Sequence, residues 1–461
     1  MPTVVIAGGG IAGLACALAL HGGGHRVLVL EPGPPPPPGP AAEAVARLRP
    51  RPTAPQVCHS HTLTSLGVRV LRRRAPQILA AARAAGAVLL DVLAALPDGA
   101  TDAARRPGDE DLVALGCRRA TLELLLNRAV LDLPGVTVRY GTAVRAVDLD
   151  PARRRVRAAV TRDGTRVPAD IVIDATGRRA LSGAWLRDAG VPVPADRTSP
   201  SGLTGHTRFY RLTTTARPGP LNRGNAAGDV FDHYAGVLHP ADGGTFSVAL
   251  ATLPGDRALA ALRTEAGFTA AARATPGIGA WLADGASVPI SPVYAITSPP
   301  NTLRGTALPG PSPVAGLFPV GDAACTTDPL FGRGMSLALD HAFRVADVLA
   351  DYPAVDLAQR RALARATREL FLPWYEHSAA ADLARITRWR AAADGVPATP
   401  AARPHLLDRM AAAARADGVV WRALTRMLMS LDPPARALTP EVRARIRAAH
   451  RLGPRPPARP A

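Results

Sequence analysis

Residues 3–13 read TVVIAGGGIAG, and this stretch decides the fold. Five β-prone residues lead into three glycines, and the Ala- and Leu-rich run at 11–21 is typical of a helix. The glycines at 22–24 end that helix, and a second apolar run at 25–30 stops at Glu31. The pattern predicts a strand, a helix and a strand within about 30 residues, the unit that opens a Rossmann-type α/β fold.

The glycines of this segment satisfy the GxGxxG pattern. Gly8 allows a tight turn, Gly10 lets a pyrophosphate approach the backbone, and Gly13 lets helix and strand pack closely. The free N–H groups and positive dipole end of the helix then face the phosphates. Glu31, 18 residues after Gly13, is placed to accept a hydrogen bond from a ribose 2′-OH. The sequence therefore predicts a dinucleotide site.

A second motif lies far along the chain. Residues 317–324 read LFPVGDAA, residues 329–335 read PLFGRGM, and an apolar helix follows at 336–349. Together with the first motif, this pattern resembles the FAD-dependent oxidoreductases typified by para-hydroxybenzoate hydroxylase and its geranylgeranyl reductase relatives. The likeness extends over roughly residues 1–350 and is greatest to bacterial biosynthetic members of the group.

That resemblance implies FAD as the cofactor and assigns residues to it. Asp322 binds the ribityl chain, and Pro329, Gly332 and Gly334 form the turn before a helix whose N-terminus faces the pyrimidine end of the flavin. Arg119 reaches the phosphates or ribose, with Arg118 as the alternative. The remaining implied cofactor contacts are Ala12, Arg51, Val144 and Met335.

Residues 174–178 read DATGR, where aromatic hydroxylases begin with Asp-Gly. The variant is more similar to geranylgeranyl reductase and halogenase relatives. By resemblance, Asp174 and Gly177 support the flavin, and Arg178 is a candidate contact for nicotinamide. Since no second GxGxxG follows, NAD(P)H is expected to dock transiently.

Candidate catalytic residues come from two segments. By the same resemblance, residues 51–56 match a marker segment that follows the second strand in the family, and His59 and His61 come just after it. The resemblance implies that this segment runs toward the flavin, where one histidine acts as an acid, a base or a hydrogen-bond donor. An HxH metal site lacks a third ligand at useful spacing, so no metal is expected. The β-rich run at 207–253 is expected to line the substrate pocket through Arg208 and Tyr210, with Asp232, His233 and Tyr234 as further candidates.

The expected fold is α/β, with a discontinuous FAD domain at 1–75, 100–185 and 290–350. Residues 76–99 and 186–289 form a β-rich covering domain, and 351–461 form a helical region with a Pro-rich break near 397–404 and a disordered tail. Within these ranges, strands are expected at 136–139, 144–148, 155–161 and 171–174, and helices at 65–85 and 121–132.

Composition excludes several classes of protein. The 461 residues carry a formal charge of +18, yet every basic residue other than histidine is an arginine, since the chain contains no lysine. Lysine-dependent P-loops and Schiff bases are therefore excluded. The arginines are spread along the chain, which argues against nucleic-acid binding. Four scattered cysteines and no clear targeting or membrane segment indicate a cytoplasmic protein.

The leading hypothesis is a monooxygenase that uses FAD, NAD(P)H and O2 to oxygenate a small organic, biosynthetic substrate. The alternatives are a flavin-dependent reductase or dehydrogenase acting on C=C or C–C bonds, and a cyclase in which flavin has no redox role. A flavin halogenase is disfavoured, because that family needs an active-site lysine and a Trp-x-Trp motif, and both are absent. The oligomeric state stays open.

Overall fold

A computed structural model describes residues 2–47, 53–152, 154–310, 314–396 and 406–452. The strands are β1 (Thr3–Ala7), β2 (Arg26–Leu30), β3 (Val88–Asp91), β4 (Val113–Gly116), β5 (Val136–Arg139), β6 (Val144–Leu149), β7 (Val156–Thr161), β8 (Arg166–Pro168), β9 (Ile171–Asp174), β10 (Arg197–Ser199), β11 (Thr204–Leu212), β12 (Ala227–Val230), β13 (Ala235–Pro240), β14 (Thr245–Thr252), β15 (Ser287–Pro289), β16 (Tyr294–Thr297), β17 (Asn301–Leu303), β18 (Leu317–Pro319) and β19 (Cys325–Thr326). The helices are α1 (Ile11–Leu20), α2 (Ala41–Arg47), α3 (Ser65–Arg74), α4 (Pro76–Ala84), α5 (Arg119–Leu131), α6 (Ser182–Asp188), α7 (Glu265–Ala274), α8 (Gly334–Asp351), α9 (Leu357–Ala393), α10 (Leu406–Ala414), α11 (Gly418–Leu428), α12 (Pro434–Ala437) and α13 (Pro440–Leu452).

A parallel sheet in the order β18-β9-β1-β2-β5 forms the centre of the molecule. Successive side chains of a strand point to opposite faces. In β1, Val4 and Ile6 accordingly join the core that includes α1, α5 and α8, whereas Val5 and Ala7 join a second core with Trp185. A strand that is buried on both faces can be apolar at every position. The predicted strand-helix-strand unit and the Rossmann-type sheet are confirmed.

An antiparallel sheet in the order β12-β13-β14-β11-β15, with β16 also paired to β11, corresponds to the β-rich run expected from the sequence. One of its faces packs under α7, where Phe246, Phe268 and Trp281 are buried together. The other face is turned toward a large cavity and carries Thr207, Val237 and Ala249. We refer to this element as the covering sheet.

The region after β19 is helical, as expected. Helix α8 packs against α1 and α3, and the long helix α9 runs beside α8 and contacts β17. Helices α10, α11 and α13 pack on one another. No helix within the described ranges is both long and apolar enough to cross a bilayer. The Pro-rich break expected near 397–404 and the tail expected at the C-terminus lie outside the described residues.

The remaining predicted strands and helices agree with the structure to within a few residues, except that one predicted helix is divided into two. The single helical stretch expected at 65–85 is two helices, α3 and α4, separated at Ala75. Pro76 explains the break, because the residue before a proline is disfavoured in the helical region. Residues 76–99, grouped with the covering domain by sequence, form α4 and β3, and Ile78 and Ala82 join the core of α1 and α8.

Candidate functional site

One cavity of about 810 Å³ extends from the first glycine turn, beneath the covering sheet, to helices α9, α10 and α11. It gathers most of the residues that the sequence had nominated from distant segments. The nominated residues that line it are Gly8, Gly10, Ala12, Glu31, His59, His61, Arg119, Gly177, Asp322, Pro329, Gly332, Gly334 and Met335. Arg51 lies outside the described residues.

The three motif glycines occupy different surroundings. Gly8 has a φ of 115°, and a Cβ there would lie 2.5 Å from the Ala175 carbonyl oxygen. A Cβ on Gly13 would lie 1.9 Å from the Gly8 carbonyl oxygen, so Gly13 serves the packing of α1 and does not line the cavity. A Cβ on Gly10 would meet no atom within 4 Å. Gly10 therefore leaves open space at the start of α1, where a phosphate group fits.

Glu31 sits at the end of β2 with its carboxylate held from two sides. The backbone N–H of Gly9 donates to one carboxylate oxygen at 2.7 Å, and that of Gly33 donates to the other at 2.8 Å. The side chain is buried but lines the cavity. Because each carboxylate oxygen has a further lone pair, Glu31 can still accept a hydrogen bond from a ribose hydroxyl.

Two arginines supply positive charge beside the glycine turn. The Nε atoms of Arg119 and Arg178 are buried and have no hydrogen-bond partner in the described part of the chain, although Arg119 Nε lies 3.6 Å from Glu123 Oε2. Leaving a buried donor unsatisfied is costly. An anionic ligand would satisfy both groups, so the donor set fits the pyrophosphate of a dinucleotide. The alternative candidate, Arg118, is held instead by both carboxylate oxygens of Asp242.

The late motif presents the start of α8 to the same cavity. Gly332, with a φ of 63°, turns the chain into the helix. The preceding Gly321 turn is held by His341, whose Nδ1 accepts from the Gly321 N–H at 3.2 Å, while its Nε2 donates to Thr367 Oγ1 at 2.9 Å. Burial lowers the pKa of His341 to about 3, which keeps this ring neutral. Asp322 is thereby fixed on the cavity wall.

Asp174 and Val144 lie outside this cavity. The fully buried carboxylate of Asp174 accepts from the backbone N–H of Thr176 at 3.0 Å and of Ser182 at 2.7 Å. It therefore shapes the loop that carries Gly177 and Arg178. Val144 lines a separate, smaller cavity behind Gly8.

The segment after β2 brings a group of histidines to the cavity. Nδ1 of His61 donates to the His59 carbonyl oxygen at 2.8 Å, and His59 bonds Thr207 Oγ1 at 3.0 Å. Burial, followed by the charge of Arg178, lowers the pKa of His59 to about 4. Burial and the charge of Arg119 lower that of His61 to about 3. Both rings are therefore neutral near pH 7.

A third histidine, His239 on β13, lines the cavity beside them. Ser60 Oγ bonds His239 Nδ1 at 3.0 Å and Ser247 Oγ at 2.8 Å. Burial lowers the pKa of His239 to about 3. Nothing in the sequence pattern marked His239, because it is 178 residues from His61. Among the described residues, no three His, Cys, Asp or Glu side chains come together as a metal site.

Arg208 and Tyr210 do not line the cavity, contrary to expectation. Both point from β11 toward α7, where Arg208 pairs with Glu265 at 2.5 Å and Tyr210 stacks on Phe246. The reason is the two-residue period of a strand. Gly205 and Thr207 are the β11 residues that face the cavity. The other candidates lie at the β12–β13 turn, where Asp232 and His233 are exposed.

Comparisons with known proteins agree with this geometry. The model of an FAD binding domain matches residues 3–36. The structure of PqsL, a probable FAD-dependent monooxygenase from Pseudomonas aeruginosa, matches with a TM-score of 0.57 and 19% identity, over 85% of this chain and 99% of that one. The flavin-dependent brominase Bmp2 matches with a TM-score of 0.60 and 16% identity, over 98% of each chain. This chain has the flavin monooxygenase and halogenase fold.

A further relative is Protein Rv3254 of Mycobacterium tuberculosis, which is 28% identical over 411 residues, covering 82% of this chain and 81% of that protein. The prediction of an FAD-binding Rossmann-type fold is thus confirmed by the fold and by the FAD-binding segment, and both agree with an FAD-dependent oxidoreductase. The resemblance that was based on the two glycine motifs is confirmed as well.

Sequence reasoning missed the far wall of the cavity. Helix α9 contributes Ala381, Asp382, Ala384, Arg385 and Arg388. These positions are three and four residues apart, so they share one helix face. The spacing shows that a shared face exists, but only the fold shows that it is turned toward the flavin motif.

A buried ionic cluster joins α9 to the late motif. Arg385 donates to Asp328 and Asp382, each at 3.0 Å, and Asn301 donates to the second oxygen of Asp382 at 2.7 Å. Burial and the neighbouring Asp328 carboxylate raise the pKa of Asp382. Arg333, fully buried, stacks between the rings of Phe331 and Trp374. These contacts hold the turn before α8 in place.

Proposed function

We propose that this chain is an FAD-dependent monooxygenase that uses NAD(P)H and O2 to insert one oxygen atom into a small organic substrate. The observation that carries the proposal is the continuity of the cavity. Its first part has the glycines, carboxylate and arginines of a dinucleotide site, and its second part lies between the covering sheet and α9. A cofactor and a substrate can therefore lie in contact within one continuous cavity.

The chain's own residues would hold FAD along the first part. Gly10, Arg119 and Arg178 would bind the pyrophosphate, Glu31 the adenosine ribose, and Asp322 the ribityl chain. The N-terminus of α8 would face the pyrimidine end of the flavin, where its dipole stabilises negative charge. Bound FAD supplies hydride acceptance from NAD(P)H and activation of O2.

The histidines supply hydrogen-bond acceptors beside that position. Because a carbonyl oxygen only accepts, Nδ1 of His61 must carry the proton that bonds His59, so a neutral His61 has Nε2 free to accept. The low pKa of the ring keeps it in this form. We propose that His61 accepts a hydrogen bond from the substrate through Nε2, and that His59, oriented by Thr207, also positions the substrate.

The covering sheet would shield one side of the reaction from water. The sheet face over the cavity carries Val237, Ala249 and Ala251, which offer no hydrogen bonds from their side chains. An apolar sheet face of this kind would keep water away from one side of the cofactor and so limit its wasteful oxidation. The discontinuous FAD domain, a cytoplasmic location and a role in biosynthesis belong to the same proposal.

A reductase or dehydrogenase acting on C=C or C–C bonds is the second candidate, and the DATG sequence at 174–177 favours it. The two activities differ in their need for O2. A monooxygenase gives no product under nitrogen, whereas a reductase does.

The first experiment is a visible spectrum of the purified protein, before and after addition of FAD, then with NADH or NADPH under nitrogen and in air. Flavin bands that bleach under nitrogen and return with O2 support the proposal. A chain that binds no FAD refutes it, and product formation without O2 refutes the monooxygenase in favour of the second candidate.

A further inference from the structure

Two aspartic acids lie against each other in the cavity wall, beside the late motif. Asp328 directly precedes Pro329, Asp382 is on α9, and both line the cavity although each is only 1% exposed. A single nitrogen, Nη2 of Arg385, donates to one oxygen of each carboxyl group at 3.0 Å. The two carboxyl groups are also close enough to hydrogen-bond each other. Because an ionised carboxylate only accepts hydrogen bonds, that contact requires a proton on one of the two.

The remaining oxygens of the pair are bound by other segments of the chain. Asp328 accepts from the Leu330 N–H at 2.9 Å, and Asp382 accepts from the side-chain amide of Asn301 at 2.7 Å. The same Asn301 side chain accepts from the Asp328 N–H at 2.7 Å. Strand β17, the turn before α8 and helix α9 therefore hold the two carboxyl groups together, and they cannot separate without breaking these bonds.

The charged and titratable groups that face the pair do not remove the need for this proton. Arg385 is a single cation between two carboxyl groups. Arg333 also faces the pair, but its guanidinium stacks between two aromatic rings and forms no ion pair with either acid in the part of the chain that the structure describes. Cys325 is neutral, because burial raises the pKa of its thiol. Burial and the charge of Asp328 raise the pKa of Asp382. Two carboxyl groups that share one site in this way do not both ionise near neutral pH.

The histidines of the cavity do not hold a comparable proton. Burial lowers the pKa of His59 to about 4 and the pKa values of His61 and His239 to about 3. All three rings are therefore neutral near pH 7 and cannot act as acids there. The carboxyl pair is placed to supply what these histidines cannot.

We propose that the Asp328–Asp382 pair holds one proton at neutral pH and donates it to the reaction in the cavity. The proposed monooxygenation consumes such a proton, because RH + O2 + NAD(P)H + H+ gives ROH + NAD(P)+ + H2O. NAD(P)H supplies the two electrons, one oxygen atom enters the substrate, and the donated proton leaves in the water. Since Asp328 is joined to Pro329, the pair lies at the end of the cavity where the turn is proposed to face the flavin. The inference rests on the proposed function and adds the source of its proton.

The shared proton is tested by infrared spectroscopy of the FAD-loaded protein near pH 7, in H2O and in D2O. A protonated carboxyl group has a C=O stretching band that a carboxylate lacks, and the band shifts in D2O. We expect this band in the wild type and its loss in both Asp382→Asn and Asp328→Asn, which keep the size of the side chain. Asp347→Asn removes an exposed carboxylate that pairs with Arg74 on the far side of α8, so it must leave the band unchanged. A wild type without the band overturns the inference, and that measurement needs no variant.

Proton donation is tested in a reaction that needs no substrate. The flavin is reduced by light and EDTA under nitrogen and mixed with O2, so that reduced flavin and O2 take up one proton and give oxidised flavin and H2O2. The rate of flavin reoxidation is followed by absorbance from pH 6 to pH 9. The wild-type rate should fall as the pH rises and the pair loses its proton. In Asp382→Asn the rate at pH 7 should be about a hundredfold lower, the low end of what a general acid contributes, and this pH dependence should be absent.

A purely structural role of the pair would give a different result. If both Asn variants lose the band but reoxidise at the wild-type rate, the pair is not the donor. The donor role is also wrong if they are slowed equally at every pH and keep the wild-type pH dependence. A protein that binds no FAD, or whose reduced flavin does not react with O2, refutes the proposed function and the donor role with it, whereas the infrared band reports the shared proton independently of flavin chemistry.

Discussion

Two glycines of the first turn are expected to separate cofactor binding from folding. A methyl group at Gly13 would lie 1.9 Å from the Gly8 carbonyl oxygen, whereas one at Gly10 would meet nothing within 4 Å. Gly10 lines the cavity, so its methyl would occupy the space proposed for the pyrophosphate. Gly10→Ala should therefore weaken FAD binding, and Gly13→Ala should weaken the fold.

The magnitudes follow from the same distances. Contacts of a real Cβ are almost never under 3.0 Å, so in Gly13→Ala the backbone of the turn must move by about 1 Å. Overpacking costs about 1–3 kcal/mol, and we expect the upper end because the clash involves backbone. Gly10 is extended, with φ −84° and ψ −173°, which alanine also adopts, so its variant should lose less than about 1 kcal/mol of stability. A steric cost of about 1–3 kcal/mol against the phosphate corresponds to an FAD Kd raised about 5- to 150-fold.

Stability is measured by urea unfolding of the FAD-free proteins, because bound FAD would itself stabilise the native state. The Kd is measured by quenching of flavin fluorescence during titration. A Gly10→Ala protein that binds FAD like the wild type would show that no phosphate lies against this turn. A Gly13→Ala protein with an unchanged urea midpoint would show that the close contact of α1 with the turn is not required.

Three other predictions concern groups away from the turn. Burial lowers the pKa of His341 to about 3 from an ordinary 6.5, so between these values the unfolded chain binds a proton that the folded chain does not. The free energy of unfolding should therefore fall as the pH drops below about 6.5, by up to roughly 1.4 kcal/mol per pH unit for this group. His341→Gln should reduce that slope in urea midpoints measured from pH 7 to pH 4. Arg422 is buried and donates to both carboxylate oxygens of Asp109. Arg422→Met should therefore lower the free energy of unfolding by about 3–5 kcal/mol, because it leaves the carboxylate unpaired. A double variant with Asp109→Asn should recover part of this loss in the urea midpoint. Arg208→Met should leave the FAD Kd unchanged in the fluorescence titration, because Arg208 points away from the cavity; a tenfold rise would contradict this placement.

Local signals were sufficient to nominate the residues that line the proposed cofactor end of the cavity. The first glycine turn, Glu31 and the Gly321–Asp322 turn could be identified from sequence because each function depends on backbone conformation within a few residues. Glycine at a positive φ and a carboxylate at the end of a strand leave a pattern in the sequence. The order of the parallel strands then brings those separate segments to one edge of the sheet.

The substrate end could not be predicted in the same way. Strand β11 has polar residues on both faces, so alternation does not reveal which set faces the cavity. Arg208 and Tyr210 were chosen as the most polar and aromatic members, yet their face is covered by α7. The helix α9, which supplies the opposite wall, is separated from β11 by more than 140 residues, and no local pattern links the two.

The arginines show most clearly what the structure adds. With no lysine in the chain, arginine serves both as a structural cation and as a ligand-binding group, and neighbours in sequence differ in role. Arg118 is neutralised by Asp242, whereas the Nε of Arg119 is buried without a hydrogen bond on the cavity wall. One turn apart on α9, Arg385 is bound to two carboxylates and Arg388 has none within ion-pair distance in the described chain. Because a buried donor needs a partner, the unbonded Nε of Arg119 indicates where an anionic group of a ligand would bind.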